Sequence, residues 1–240
     1  MPRLMFQRPR RIEWEELTPV FGRMVAEPFE KGYALTVGNS LRRVLLSAVP
    51  GAAVAWARVD GLAGEDLTAL LLNLKKIVVR LPDGSAATAK LTAKGPKAVT
   101  AGDLVGARVE IVNPELSLAT LAAGGKLVLE IGAQIGRGYV SAERQPEAPP
   151  PGAIALDSAF SPIRRVNYTV EMSRLGNITD YEKLLVEVST DGSVAPDQAL
   201  LRASKLLRDH FDLFTPAGAD EEDDEPPAEP SAAAEVTRRS

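Results

Sequence analysis

The 240-residue sequence has no cysteine and a single histidine, His210. The first absence excludes disulfide bridges and thiolate metal sites, and the second excludes multi-histidine metal centres and histidine-based catalytic triads. No apolar run approaches the roughly 20 residues that a membrane-spanning helix requires. The opening MPRLMFQRPRRIEWEEL has basic residues with no apolar stretch behind them, so no secretory signal is expected and the chain is assigned to the cytoplasm. A Walker-type phosphate loop, a nucleophile elbow, a paired-histidine zinc helix and a strand-borne Rossmann glycine fingerprint are all missing. No cofactor and no bound metal are expected.

A large excess of charge of one sign is lacking as well, with 28 Lys+Arg against 32 Asp+Glu. The balance is uneven along the chain. Residues 220–240 hold eight acids and two bases, a net −6, which leaves +2 on residues 1–219. A body so near neutrality lacks the basic excess of a dedicated nucleic-acid binder. Arg3, Arg8, Arg10 and Arg11 cluster early, but Glu13, Glu15 and Glu16 follow, and the stretch reads as a solvated, frayed terminus. Residues 216–240 combine the acidic block with proline and almost no large apolar side chain. They cannot offset the entropy of being ordered and read as a disordered acidic tail.

What is present is an ordinary globular body, 45 % hydrophobic and 25 % charged. Two segments have clear helical periodicity. Val37, Leu41, Val44, Leu45 and Ala48 share one face of a helix over 39–48, capped by Asn39 and stopped by Pro50-Gly51. A second helix starts at Ala195-Pro196-Asp197, where proline suits the first position and Asp the positive end of the dipole, and runs to about 214. Its apolar positions Leu200, Ala203, Leu207, Phe211 and Phe214 are widened by Leu201 and Leu206, a stripe broad enough to need a partner surface. A shorter helix over 65–75 presents Leu67, Leu70, Leu71 and Leu74 and leads into an extended run at 77–81. Strands are predicted over 53–59, 86–92, 107–112, 126–135, 165–171 and 183–190, and the four prolines of 145–152 make a surface loop. Helices at the outer ends with strands between indicate an α+β fold.

Candidate chemistry is sparse. Gly136-Arg137-Gly138-Tyr139 suits either an anion cradle or a bulge at a strand end. Asp180 and Glu182 can be paired carboxylates or a solvated turn, and His210 near a helix C-terminus suits the dipole there. On the helix over 39–48, Arg42, Arg43 and Leu46 lie off the apolar face. They are either a surface arginine pair or a second face that docks a partner.

The segment from Glu27 to Gly51, EPFEKGYALTVGNSLRRVLLSAVPG, closely resembles the signature of the amino-terminal domain of the bacterial RNA polymerase alpha-subunit family. The resemblance continues in order through LLNLK at 71–75, Gly95-Pro96 with Val99-Thr100-Ala101, VEIVNP at 109–114, GRGYV at 136–140, FSPIRRV at 160–166, Thr179-Asp180 with Lys183-Leu184, and TDGS at 190–193. It covers roughly residues 20 to 215. It implies a dimerisation subdomain built from both ends of the chain, 1–52 and 168–215, with a β-rich subdomain inserted at 53–167 and the tail at 216–240.

The resemblance also implies a homodimer that nucleates binding of the large β and β′ subunits, with nucleotidyl transfer residing in those partners. Arg43, Leu46, Lys75 and Ile163 match positions that contact the large subunits. Leu41, Val44, Leu45, Ala48, Leu200, Ala203, Leu207, Phe211 and Phe214 are the expected dimer interface. This sequence departs from the family pattern in places. Only Leu62-Ala63-Gly64 stands where the family carries a longer loop, Ile178 replaces a common arginine, and Glu182 a common aspartate. Residues 1–20 match poorly, and no second, DNA-contacting carboxy-terminal domain follows, so no sequence-specific DNA contact is expected. An alpha-like regulatory paralogue that does not support full core assembly is the alternative, and a small-molecule site at the Arg137 turn a third.

Overall fold

The early charged stretch that reads as a frayed terminus runs into a strand over 11–17, which pairs with a second strand over 21–30. The structure, a computed structural model, describes residues 6–175 and 178–215, without the side chains of 175–179. Arg3, the substituted position Ile178 as a side chain, and the tail 216–240 lie outside that description. In chain order the elements are β1 (Arg11–Leu17), β2 (Phe21–Glu30), α1 (Tyr33–Ala48), β3 (Gly51–Asp60), α2 (Gly64–Leu74), β4 (Val79–Arg80), β5 (Ala87–Lys94), β6 (Lys97–Thr100), β7 (Glu110–Ile111), β8 (Ser117–Leu121), β9 (Lys126–Gly136), β10 (Tyr139–Val140), β11 (Ile154–Ala155), β12 (Ser158–Ala159), β13 (Ile163–Leu175), β14 (Ile178–Thr190) and α3 (Pro196–Phe211). A 3-10 turn at Asp212–Phe214 prolongs α3. The α+β class is as expected. The order is not, because two strands precede the first helix.

One body is an antiparallel sheet in the order β1-β2-β14-β13 with α1 and α3 on one face. Main-chain pairing with β2 orders β1, whose side chains are mostly exposed. Arg11, in the basic cluster, forms ion pairs with Glu13 beside it and Glu27 across the ladder, so part of that cluster is a strand-pairing device. Helix α1 buries Ala34, Gly38, Leu41 and Leu45, spaced four, three and four residues apart, against Leu184, Val186 and Val188 of β14. It begins at Tyr33, six residues before Asn39, which is therefore an interior residue and not a cap. Gly32 precedes it at φ 82°, a left-handed conformation that glycine adopts without a steric cost. The stop is where the sequence places it, with Val49 extended ahead of Pro50.

The other body is the sheet β5-β9-β3-β4-β7, with β11 added on β3 and α2 packed over it. In β5 the side chains of Ala87, Ala89, Leu91 and Ala93 point inward while Thr88, Lys90, Thr92 and Lys94 face water. Of the four leucines predicted for α2, Leu70 and Leu74 are fully buried in the core and Leu71 packs against it, while Leu67, in the first turn, is only half-buried. The expected strand over 107–112 shrinks to Glu110–Ile111 and that over 77–81 to Val79–Arg80, because only those residues find ladder partners. The short pair β6 and β8 was not predicted, having too few residues to show a period.

The two bodies keep separate hydrophobic cores. Their covalent junction is narrow. A Cβ on Gly51 would stand 2.2 Å from the Phe160 carbonyl oxygen, and one on Gly136 would stand 2.6 Å from the Phe160 ring, so glycine is needed at both places for the backbone at Phe160 to pack against them.

Candidate protein-assembly surfaces

The outward side of α1 carries Leu35, Asn39, Arg42, Arg43 and Leu46, all exposed and recurring at helical spacing. Ser40 donates to the Thr36 carbonyl and Ser47 to the Arg43 carbonyl, which turns both hydroxyls into the helix. The face is thus two apolar side chains around two cations, and among the described residues neither arginine forms an ion pair. Leu35, 54 % exposed, was missed. Its signal was the spacing from 35 to 39, 42 and 46, hidden once the helix was started at Asn39.

Lys75 sits just past the end of α2, where its Nζ is 2.7 Å from Asp157 Oδ2. That bond, then the Ala142 backbone N–H on the other carboxylate oxygen, hold the Asp157 carboxyl below the usual aspartate range. Exposed Leu72 lies one turn before Lys75 on the same helix. Ile163 differs from the other expected contact positions. Opening β13 opposite Thr190, it is buried in the core beneath α1, and it shapes the sheet there while its neighbour Arg164 is exposed.

Of the residues expected at the dimer seam, Leu41, Leu45, Leu200 and Ala203 are buried within the single chain, where α1 packs on α3. Val44, Ala48 and Leu207 are half-buried, while Phe211 and Phe214 are 61 % and 85 % exposed, with Leu213 beside them at 81 %. Between the ends of α1 and α3 runs a groove of about 350 Å³ lined by Val44, Ala48, Pro50, Arg137, Arg202 and Leu206, among others. Three large apolar side chains in water beside an apolar groove make a surface of the kind that a single soluble chain seldom leaves uncovered.

The remaining candidates resolve as local structure. Gly138, at φ 63°, gives its carbonyl to the Phe160 N–H at 2.7 Å in a tight turn after β9, and Arg137 lines the α1–α3 groove. Asp180 faces Lys31 at 3.7 Å, whereas Glu182 binds the start of α1, so the two carboxylates do not act as a pair. The His210 ring donates to the Leu206 carbonyl at 2.8 Å, one turn back along α3. Among the described residues no group of three or more acids and histidines could hold a metal ion, and no helix is long and apolar enough to cross a membrane.

The chain is 46 % identical over 222 residues to the DNA-directed RNA polymerase subunit alpha of Moorella thermoacetica, a match covering 88 % of this chain and 71 % of that protein. It is 47 % identical to that of Symbiobacterium thermophilum, covering 81 % of this chain and 65 % of the relative. The Carboxydothermus hydrogenoformans subunit is 42 % identical, with 88 % and 71 % covered. The chain thus spans about two thirds of the length of these relatives. Residues 27–211 match the RNA polymerase Rpb3/Rpb11 dimerisation domain, the stretch from the end of β2 to the end of α3 that holds both the outward face of α1 and most of the α1–α3 groove. The chain belongs to the DNA-directed RNA polymerase alpha-subunit family.

Proposed function

We infer that the chain is a non-catalytic assembly subunit of a bacterial DNA-directed RNA polymerase in the cytoplasm, dimerising with a second copy and presenting the dimer to the large β and β′ subunits. The dimerisation part comprises the sheet β1-β2-β14-β13 with α1 and α3, and the inserted β-rich part runs from β3 to β12, so the boundaries expected at 52/53 and 167/168 fall instead at Gly51 and before Ile163. Nucleotidyl transfer belongs to the partners. The observation that carries this reading is the separation of two unsatisfied surfaces on α1. One side forms the groove with α3, whose end carries the exposed Phe211, Leu213 and Phe214, and suits a second copy; the other carries Leu35, Arg43 and Leu46 and suits a different protein.

Arg43 leads the second surface, because a guanidinium fork can make paired hydrogen bonds to a carboxylate or to backbone carbonyls once a partner excludes water. Leu35 and Leu46 flank it with apolar area, and Lys75 adds a charge on the other body. Ile163 supports the surface from beneath.

The test is co-purification with the host's β and β′ subunits, wild type beside Arg43→Ala, with the mass of each complex measured by light scattering. Two copies per core, with the Arg43→Ala complex weakened by about tenfold or more and its melting temperature unchanged, is the expected result. A dimer that never enters a core would favour the regulatory-paralogue reading and point to the short link Leu62-Ala63-Gly64 between β3 and α2.

A further inference from the structure

The two bodies join through two adjacent chain crossings, near Gly51 and near Phe160, which by themselves form a hinge. Away from it, Arg80 at the end of β4 reaches across. Its Nη2 donates to the Gly192 carbonyl at 2.8 Å and its Nε to the Ser193 carbonyl at 3.1 Å, while Nη1 lies 3.4 Å from Glu110 Oε2. Among the described residues, the two bonds to Gly192 and Ser193 are the side-chain hydrogen bonds that tie residues 51–160 to the rest of the chain, and Glu110 steadies the guanidinium from its own side. Val112 packs at the same place, within 3.2 Å of where a Cβ on Gly192 would stand.

Both ends of this bridge are stiff. Asp191 Oδ1 accepts from the Ser193 N–H and hydroxyl, and the Asp191 N–H binds the Pro162 carbonyl, so the turn 190–193 is fixed to the sheet beneath α1. On the other side, Asn113 accepts from the Val78 N–H and donates to the Lys76 carbonyl, locking the segment between Lys75 and Arg80. Arg80 thereby links the body that carries Lys75 to the body that carries Arg43.

We propose that Arg80 is a positioning residue that sets the angle between the two bodies, so that Lys75 and the Arg43 face are presented together to one protein partner. The part concerning the partner rests on the assembly reading above. An interface that engages two rigid bodies binds more tightly when their relative orientation is fixed beforehand, since the cost of ordering them has already been met in the free protein. Arginine suits the task because its planar fork reaches two successive carbonyls at once, which a lysine ammonium on a flexible stem does not hold in a fixed direction.

The experiment exploits the absence of cysteine. Spin labels on cysteines introduced at exposed Thr88 of β5 and Thr169 of β13 report the distance between bodies, with labelled chain diluted into unlabelled chain to suppress signals between copies. Wild type should give one narrow distance distribution, Arg80→Ala a broader or displaced one, and Arg80→Lys an intermediate one, with circular dichroism and oligomeric mass unchanged. Titration with the co-purified β and β′ subunits should show about a fivefold or greater weakening for Arg80→Ala. Superimposable distributions for wild type and Arg80→Ala would overturn the proposal. Should Arg80→Ala fail to fold, Arg80→Lys decides by the same criterion. Failure of the wild-type chain to bind the large subunits would overturn the assembly reading while leaving the distance result to judge Arg80.

Discussion

The carboxylate of Glu182, in β14, caps a helix that begins 149 residues earlier: its two oxygens accept the backbone N–H groups of Gly32 at 2.8 Å and Ala34 at 3.3 Å. A negative charge at this end of α1 satisfies orphan donors and complements the helix dipole. Glu182→Ala should therefore cost about 1 kcal/mol of stability, with Glu182→Gln in between because an amide retains one acceptor. Urea denaturation measures the loss, and hydrogen exchange locates it. Faster exchange confined to the first turn of α1 is expected; an unchanged first turn would contradict the cap.

Gly38 is the second place where α1 depends on the sheet. In an exposed helix Gly→Ala would stabilise by about 1 kcal/mol. Here a Cβ would lie 2.8 Å from Tyr168 Cδ2 and 2.9 Å from Leu184 Cδ1, inside the buried core. Overpacking should win, so Gly38→Ala is expected to lower stability by about 1–2 kcal/mol. A raised melting temperature would show that Tyr168 moves aside freely.

Phe214 distinguishes assembly from folding. Because its side chain is almost fully exposed in one chain, Phe214→Glu should change the stability of the folded monomer by no more than about 0.5 kcal/mol. At a seam between copies the same charge would be buried and unpaired, which is far more costly. The expected outcome in sedimentation is a folded monomer where wild type is a dimer. Leu207 is less informative, since it is half-buried in the chain's own core.

Lys75 and Asp157 give a pH dependence of known sign. The Asp157 carboxyl is held below its ordinary range by Lys75 first and the Ala142 N–H second. Its contribution is then fully present above the unfolded pKa and is lost as the pH falls through the folded one. In Lys75→Ala the Asp157 titration, followed by carboxyl-carbon NMR, should move up toward the ordinary aspartate value. A midpoint that stays put would mean that Lys75 is not what holds it down.

Where periodicity was long, local reading and structure agree. The last helix starts at its proline, α2 turns Leu70, Leu71 and Leu74 of its stripe to the core, and α1 stops before Pro50. Failures came where the deciding partner lies far away in sequence. Local sequence points to Asn39 as the start of α1 because Glu182, which fixes the true start, is remote, and β1 reads as frayed because its order comes from pairing with β2. Arg80 showed no signal, since its partners are backbone carbonyls of a turn more than 110 residues away.

The sequence by itself determined the α+β class, the stripes that must be buried, the exclusion of thiol and multi-histidine chemistry, and the ordered family blocks, because composition and local period act within a few residues. Tertiary structure alone decided which faces remain uncovered. Burial is a property of the whole packed chain, and it separated Leu41 and Leu200, taken into the chain's own core, from Phe211 and Phe214, left in water. It also decided how the two bodies are tied, because a hydrogen bond to a backbone carbonyl depends on where that carbonyl lies and not on the side chain that accompanies it.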